Sequence, residues 1–263
     1  MNEQSLNHAL KDLPVPRIVY FDEIDSTNEQ ALNLLPTGLE EFTLLVADQQ
    51  TAGRGRMGRK WVTTPGSSLA FTVILHPKEE ERQLMGFFSF LGGVALCMAI
   101  ETHCGTQPQL KWPNDVLLGG QKTAGILAES SFQGENLAGT ALGIGVNLFS
   151  GSVPPPEEVM FPATCVADHC FYLPQREYFL AEVLANLIQW RPRIMQREFL
   201  YEYQSRLAFT GSKVVLIPPS VEEIDGILMG VDRNGHLVME LDDGEIKAFP
   251  VGDVKLRLGD PDG

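Results

Sequence analysis

The apolar and polar positions along the chain predict a mixed α/β region followed by a short all-β region. Runs of β-branched and apolar residues, typical of strands, alternate with helical patterns through the first 209 residues. Strands are predicted at residues 18–21, 43–47, 68–75, 110–112, 123–132 and 137–148. Beyond residue 210, five short strands separated by tight turns predict a small SH3-like β-barrel. We therefore expect an α/β (α+β) fold, in which a mixed sheet with helices packed on one side forms residues 1–209 and a small β domain forms residues 210–263.

Three segments have helical character. Ser26, followed three residues later by Glu29, fits a capping box at the start of the first helix. The third segment, residues 176–207, is interrupted at Pro192. The second, residues 84–100, carries no formal charge over seventeen residues, whereas a membrane span needs about 20 apolar residues. Because this run also contains three glycines, we expect a buried core helix.

Composition narrows the class of protein. The 263 residues are 44% apolar and 21% charged, which is typical of a soluble globular protein. The net charge of −14 argues against broad nucleic-acid binding, which needs a basic surface. The start of the chain has no secretory signal pattern, so a cytoplasmic location is expected. The four cysteines lack C-x-x-C spacing, and we expect reduced thiols and no metal site built by the protein.

A glycine- and arginine-rich segment, Gly53-Arg54-Gly55-Arg56-Met57-Gly58-Arg59-Lys60-Trp61, follows the second predicted strand. It satisfies G-x-G-x-x-G, but β and turn residues follow instead of the helix that a dinucleotide fold requires. Glycines allow close approach of a ligand to the backbone, and arginines supply donors for phosphate or carboxylate. The segment therefore predicts a small-anion site; a solvated basic loop without a ligand is the alternative.

Two further strings carry polar or glycine positions. Lys111-Trp112-Pro113-Asn114-Asp115 offers oxygens to Mg²⁺ or a nucleotide, and Lys122 offers a cation for phosphate or carboxylate. Taken singly, Asn114-Asp115 is more typical of a turn and Lys122 of a hairpin lysine, and the Walker spacing is not met. Gly143-Ile144-Gly145-Val146-Asn147 alternates glycine within a strand, which indicates close approach of a backbone or a ligand.

The sequence resembles that of biotin–protein ligases. Five short strings, given at the end of this paragraph, occur in the order found in that family and extend over residues 25–148. The segment 211–257 resembles the family's C-terminal domain more loosely. The five strings are Asp25-Ser26-Thr27-Asn28, Gln50 to Trp61, Lys111 to Asp115, Lys122 to Leu127 and Gly143 to Asn147.

The resemblance implies that biotin and ATP, with Mg²⁺, form biotinyl-5′-AMP and pyrophosphate, and that biotin then passes to a lysine of a biotin carboxyl carrier domain. It implies that Arg54, Arg56 and Lys122 are catalytic and that Mg²⁺ comes with ATP, with Asp115 as a candidate contact. The implied biotin contacts are Ser26, Thr27, Asn28, Gln50, Gly53, Arg54, Gly55, Arg56 and Lys122. The implied nucleotide contacts are Arg59, Trp61, Asn114, Asp115, Asn147 and Arg257.

The sequence departs from the family pattern at Met57, where another basic residue is common. Only about twenty residues precede the first motif, so we expect no N-terminal winged helix-turn-helix and no operator binding. A lipoate–protein ligase, which shares the fold and the adenylation chemistry, and a non-catalytic biotin sensor are the alternatives. The choice between monomer and homodimer, the acceptor carboxylase and the acceptor-docking surface stay open.

Overall fold

The computed structural model describes residues 1–159, 161–172, 175–217 and 223–250, together with the backbone of residues 255–258. Its five α-helices are α1 (Glu3–Ala9), α2 (Thr27–Leu34), α3 (Gly86–Cys104), α4 (Arg176–Trp190) and α5 (Arg197–Ser205). The strands are β1 (Ile18–Ile24), β2 (Leu44–Gln50), β3 (Ser68–Leu75), β4 (Gln109–Lys111), β5 (Asp115–Leu118), β6 (Gln121–Gln133), β7 (Asn136–Asn147), β8 (Lys213–Ile217), β9 (Ile224–Val231), β10 (Leu237–Leu241), β11 (Ile246–Phe249) and β12 (Lys255–Leu258).

The first seven strands form one mixed sheet in the order β1-β2-β3-β7-β6-β5-β4. Strands β1 and β2 are parallel, and every other neighbouring pair is antiparallel. Strand β3, an inner strand of this sheet, is buried along its whole length, which explains why its residues are mostly apolar. The predicted mixed α/β fold is confirmed.

The main core lies between one face of this sheet and the helices α1, α3, α4 and α5. Helix α3 is long and apolar enough, by length and composition, to cross a membrane. Most of the helix is buried inside the protein, however, and Phe90 of α3 stacks on Tyr203 of α5 with ring centroids 3.8 Å apart. The helix therefore serves as the core helix that its sequence predicts.

Helix α2 lies on the opposite face of the sheet. Its residue Ala31 packs in a separate small cluster with Leu45, Ile74 and Ala141, whose neighbours along the strands point into the main core. Ser26 caps α2 by accepting a hydrogen bond from the backbone of Glu29 at 3.4 Å, which is one of the two bonds of the predicted capping box. The expectation that all helices lie on one side is therefore wrong for α2, which is too short to reveal its face by periodicity.

The last five strands form an antiparallel sheet in the order β11-β10-β9-β8-β12, which agrees with the small β region predicted after residue 210. A turn of this sheet contacts the first part of the chain, where the indole Nε1 of Trp112 donates to the carbonyl of Gly235 at 3.1 Å. Gly235 has a φ of +79°, and a Cβ there would stand 2.7 Å from the ring of Phe87. Only glycine fits this contact without displacement.

Three features differ from the sequence expectation. Helix α1 and strand β5 were not predicted, although Leu6 and Leu10 at the α1 end of the chain are buried. The expectation of four reduced thiols is wrong for Cys104 and Cys170, which form a disulfide between the end of α3 and the segment before α4. Linear spacing does not reveal this pair, because 66 residues separate the two cysteines.

Candidate active site

A cleft with a cavity volume of about 120 Å³ opens on the α2 face of the large sheet, over β3, β6 and β7. The cleft is lined by residues from all five sequence strings, which the fold brings together from positions more than a hundred residues apart. Those predicted site residues that line it are Ser26, Thr27, Asn28, Gln50, Arg54, Gly55, Arg56, Arg59, Trp61, Asn114, Asp115 and Lys122.

The fifth string supplies the floor of the cleft through its glycines. A Cβ on Gly143 would stand 2.1 Å from Oδ1 of Asn28, and a Cβ on Gly145 would stand 2.4 Å from the indole of Trp61. Because real Cβ atoms do not approach other atoms so closely, both positions require glycine. The alternating glycines of β7 thus let one polar side chain and one aromatic side chain lie directly on the strand.

One region of the cleft is a connected chain of hydrogen bonds. Gln50 Oε1 accepts from the backbone N–H of Thr27 at 2.8 Å and lies 3.0 Å from its hydroxyl. The hydroxyl of Thr72 lies 2.8 Å from that of Thr27 and 2.7 Å from Oδ1 of Asn28. Thr27, Asn28 and Thr72 are buried, so these bonds fix the orientation of the polar groups before any ligand arrives.

The same chain continues to the glycine- and arginine-rich loop through Glu129. The amide Nδ2 of Asn28 donates to the carbonyl of Leu127 at 3.0 Å and to Oε2 of Glu129 at 2.9 Å. Nη2 of Arg54 donates to both oxygens of the same carboxylate, at 3.1 and 2.9 Å. A single carboxylate on β6 therefore joins the loop to α2.

The loop itself folds back as a tight hairpin-like turn. The N–H of Gly55 donates to the carbonyl of Arg59, and the N–H of Trp61 donates to that of Gly53, both at 2.8 Å. A Cβ on Gly53 would stand 2.4 Å from the Trp61 carbonyl, which explains this glycine. No helix follows the turn, as expected from the sequence; β3 comes next. Met57, at the tip, is exposed and has a φ of +58°.

A second region of the cleft gathers lysines around Asp115. Nζ of Lys122 lies 2.6 Å from one oxygen of Asp115, and Nζ of Lys111 lies 3.8 Å from the other. Lys122 Nζ also lies 5.7 Å from the Trp61 ring centroid, within cation–π range. Burial lowers the pKa of Lys111, with the positive charges of Lys122 and Arg59 acting in the same direction and Asp115 opposing them.

Two predicted site residues, Gly53 and Asn147, are not among the described residues that line the cleft. Gly53 shapes the loop as described above. Asn147 is buried and donates from Nδ2 to the carbonyl of Thr164 at 3.3 Å, while Asn114, which does line the cleft, donates to the carbonyl of Ile126 at 2.7 Å. Arg257 lies on β12 opposite Val215, and its side chain is outside the described part of the chain.

Two contributors to the site were missed from the sequence, namely Thr72 and Glu129. A period-2 reading of β6 could have found Glu129, because it shares a face with Gly125 and Leu127 in the same strand. Thr72 lies in the apolar run of β3, where a single hydroxyl carries no pattern. Lys60 and the backbone of Gly125 also line the cleft.

The charges of the cleft suit a ligand with more than one anionic group. Five lining residues are cationic and one is acidic, and Asp115 is that acid. Because Asp115 is paired with two lysines, its oxygens are engaged in ion pairs. Among the described residues, no group of three or more His, Cys, Asp or Glu side chains could hold a metal ion. The cations that line the cleft are Arg54, Arg56, Arg59, Lys60 and Lys122.

The sequence profile of the biotin/lipoate A/B protein ligase family matches residues 20–147. The chain is 35% identical to the biotin–[acetyl-CoA-carboxylase] ligase of Paracoccus denitrificans over 82% of this chain and 90% of that protein. It is 32% identical to the ligase of the same name from Mycobacterium tuberculosis, over 87% of this chain and 85% of that one. It matches 51% of the length of the bifunctional ligase/repressor BirA of Bacillus subtilis, at 34% identity over 64% of this chain, so it spans about half of that relative.

Among solved structures, the biotin protein ligase of Aquifex aeolicus in complex with biotin and ATP is similar over 93% of this chain and 100% of that one. The TM-score is 0.79 at 30% sequence identity. The biotin protein ligase of Leishmania major in complex with biotinyl-5-AMP aligns with a TM-score of 0.62 at 21% identity, over 89% of this chain and 98% of that one, and this likeness supports the fold alone.

Proposed function

The chain belongs to the biotin–protein ligases of the biotin/lipoate A/B protein ligase family, and we propose that it attaches biotin to a lysine of a carrier protein in two steps. In the first step, a carboxylate oxygen of biotin attacks the α-phosphorus of ATP, the bond to the β-phosphate breaks, and pyrophosphate leaves. In the second step, the lysine amine attacks the acyl carbon of biotinyl-5′-AMP. An amide forms, the amine loses a proton, and AMP leaves.

The cationic character of the cleft is the observation that carries this proposal. Biotin's carboxylate is already ionised, so the first step needs no general base; it needs two anions brought together and the negative charge on the phosphates stabilised. Arg54, Arg56 and Lys122 are the catalytic residues of the proposal, since all three line one cleft. We assign Lys122 a position between the biotin carboxylate and the α-phosphate.

Each region of the cleft has a ligand group assigned to it. The hydrogen-bonded chain of Thr27, Asn28 and Gln50, with Ser26 beside it, binds the polar ring of biotin. The loop with Gly53, Gly55 and both arginines surrounds the carboxylate. The Trp61 indole, which lies on Gly145, stacks on adenine, and its buried Nε1 has no acceptor among the described residues. The remaining nucleotide contacts of the proposal are Arg59, Asn114, Asp115 and Arg257; Asn147, which is buried and donates to the carbonyl of Thr164, is left out of it.

Mg²⁺ enters this proposal as part of the MgATP substrate. The charge that it supplies on the phosphates adds to that of the arginines. Asp115 is paired with Lys111 and Lys122, so we assign it the orientation of Lys122 rather than a place as a resident metal ligand. In this assignment the single acid of the cleft orients a lysine, and the net charge of the lining residues stays positive, as the binding of anions requires.

The acceptor in this proposal is a biotin carboxyl carrier domain, and nucleic acid is not a partner, because the net charge is −14. We propose a division into a ligase domain, residues 1–209, and a small C-terminal domain, residues 210–263. We also propose a cytoplasmic location. Because disulfides are uncommon there, the state of Cys104 and Cys170 in cell extracts checks this part of the proposal.

Transfer to an acceptor tests the whole function. The purified chain, MgATP and biotin are incubated with a biotin carboxyl carrier domain and with the same domain carrying arginine at the acceptor lysine, and intact mass is measured. The proposal expects one added biotin on the first acceptor only. An active adenylation step without any transfer would contradict the proposed second step.

A lipoate–protein ligase is the second candidate function, favoured by the family match alone, whose description covers both acids. The two candidates differ in the acid that is activated. A sensor that binds biotin without consuming ATP is the third, and Arg54, Arg56 and Lys122 in the cleft argue against it.

A further inference from the structure

The carboxylate of Glu129 is the junction between the loop and α2. It accepts from Nη2 of Arg54 at 2.9 and 3.1 Å and from Nδ2 of Asn28 at 2.9 Å. Arg54 and Asn28 are the side chains assigned above to the carboxylate and to the ring of biotin. No other acid bridges these two groups among the described hydrogen bonds.

We propose that Glu129 is a positioning residue for biotin, which holds Arg54 and Asn28 in their binding orientations before the ligand arrives. The proposal rests on the proposed function and adds to it a residue that neither binds biotin nor moves a proton. Glu129 acts through its two partners, and its loss is therefore expected to weaken biotin binding more than it slows the chemical step.

The geometry allows Arg54 to donate hydrogen bonds to Glu129 and to a ligand at the same time. The ion pair uses Nη2, while a guanidinium carries five N–H donors in a fixed fork. A second anion can therefore approach the same guanidinium without breaking the pair. The side chains of Arg54 and Glu129 are 38% and 29% exposed, so the pair orients the arginine more than it stabilises the fold.

The amide of Asn28 is held from two sides. Its Oδ1 lies 2.7 Å from the Thr72 hydroxyl, and its Nδ2 donates to Leu127 and Glu129. This arrangement fixes which end of the amide faces the carboxylate. Glu129 lies on β6 opposite Ala141 of β7, so a paired strand, rather than a loop, carries the junction.

Glu129→Gln tests the inference, with Glu135→Gln as the matched control that removes the same charge from the exposed β6–β7 turn. Biotin affinity is measured calorimetrically without ATP, and amide exchange is measured for residues 53–61. Glu129→Gln is expected to lower the affinity for biotin about fivefold, because the lost contact is charge-assisted but partly exposed. It is also expected to speed amide exchange in residues 53–61. Glu135→Gln is expected to match wild type, and equal values for both variants would overturn the inference.

A double-mutant cycle with Arg54→Met separates positioning from general destabilisation. Because Glu129 acts partly through Arg54, Glu129→Gln is expected to lower biotin affinity less in the Arg54→Met background than in the wild type; full additivity would overturn the inference. If Glu129→Gln unfolds, Glu129→Asp, which lengthens the contact, takes its place with the same expectation. A wild type that binds no biotin would refute the proposed function, whereas unchanged loop exchange in Glu129→Gln refutes this inference alone.

Discussion

The indole of Trp61 lies directly on Gly145, where a Cβ would stand 2.4 Å from Nε1 and Cε2 of the ring. The neighbouring strand contributes Gly125 to the same surface, where a Cβ would stand 3.3 Å from the ring. Two glycines on adjacent strands therefore leave room for the Trp61 ring to pack flat against the sheet. This packing positions the ring in the region of the cleft that we assign to adenine.

Gly145→Ala is expected to displace Trp61 and to raise the KM for ATP. Overpacking of this kind costs about 1–3 kcal/mol, or roughly fivefold in affinity at the lower end. The KM for biotin is expected to change much less. Steady-state kinetics with each substrate varied in turn measures both values, and an equal rise for the two substrates would argue against Trp61 as the adenine platform.

Gly143→Ala, two residues earlier on the same strand, is expected to show the opposite selectivity. A Cβ there meets Asn28 instead of Trp61, at 2.1 Å. Displacement of Asn28 is expected to raise the KM for biotin by about tenfold on the same physical ground and to leave the KM for ATP nearly unchanged. The two variants serve as controls for each other, and a reversed pattern would exchange the two assignments.

Arg56→Ala is expected to release biotinyl-5′-AMP before transfer. Arg56 lines the cleft on the loop that covers the carboxylate region, and a reactive anhydride that leaves the site labels amines without selectivity. Biotin on bystander proteins in a mixture, detected by mass spectrometry, is the readout. Arg82→Ala, which removes an exposed arginine paired with Glu79, is the control. Unchanged selectivity of Arg56→Ala would contradict this role.

The loop of residues 50–61 is expected to gain amide-exchange protection when biotin binds, because closure over the ligand would keep water from the anhydride. Strand β3, fully buried and next in sequence, is the internal reference and is expected to stay unchanged. Equal protection of the loop with and without biotin would show that the loop does not close on this ligand.

Trp112→Phe tests the contact between the two sheets. The change keeps a buried aromatic ring but removes the hydrogen bond to the carbonyl of Gly235. The free energy of unfolding is expected to fall by about 1–3 kcal/mol, because a buried acceptor loses its partner. Urea denaturation measures the change; a difference below about 0.5 kcal/mol, the size of ordinary surface substitutions, would mean that water replaces the bond.

The sequence predicted the parts of the fold that carry a strong local signal. Three elements are specified by residues close together in the sequence. They are β3 with its mostly apolar residues, α2 with its cap at Ser26, and α3 with its charge-free segment. Helix α1 lacked such a signal, and the disulfide between Cys104 and Cys170 depends on tertiary approach across 66 residues. The face of the sheet on which α2 packs likewise depends on tertiary contacts, and the eight residues of the helix do not reveal it.

The site shows the same division. Its glycines, arginines and lysines stand in unusual strings, and most of them line the cleft. Glu129 and Thr72 lie singly within strands, and their importance depends on what they touch across the sheet, on Arg54, Asn28 and Thr27. Asn147, although part of a string, is turned to the carbonyl of Thr164.

Formation of an acyl-adenylate tests the central claim most directly. The purified chain is incubated with MgATP and either biotin or lipoate, and biotinyl-5′-AMP, its lipoyl counterpart and pyrophosphate are measured by mass spectrometry and a coupled assay. The account predicts biotinyl-5′-AMP with one equivalent of pyrophosphate, and no adenylate from lipoate. Adenylate from lipoate alone, or biotin binding without pyrophosphate release, would contradict it.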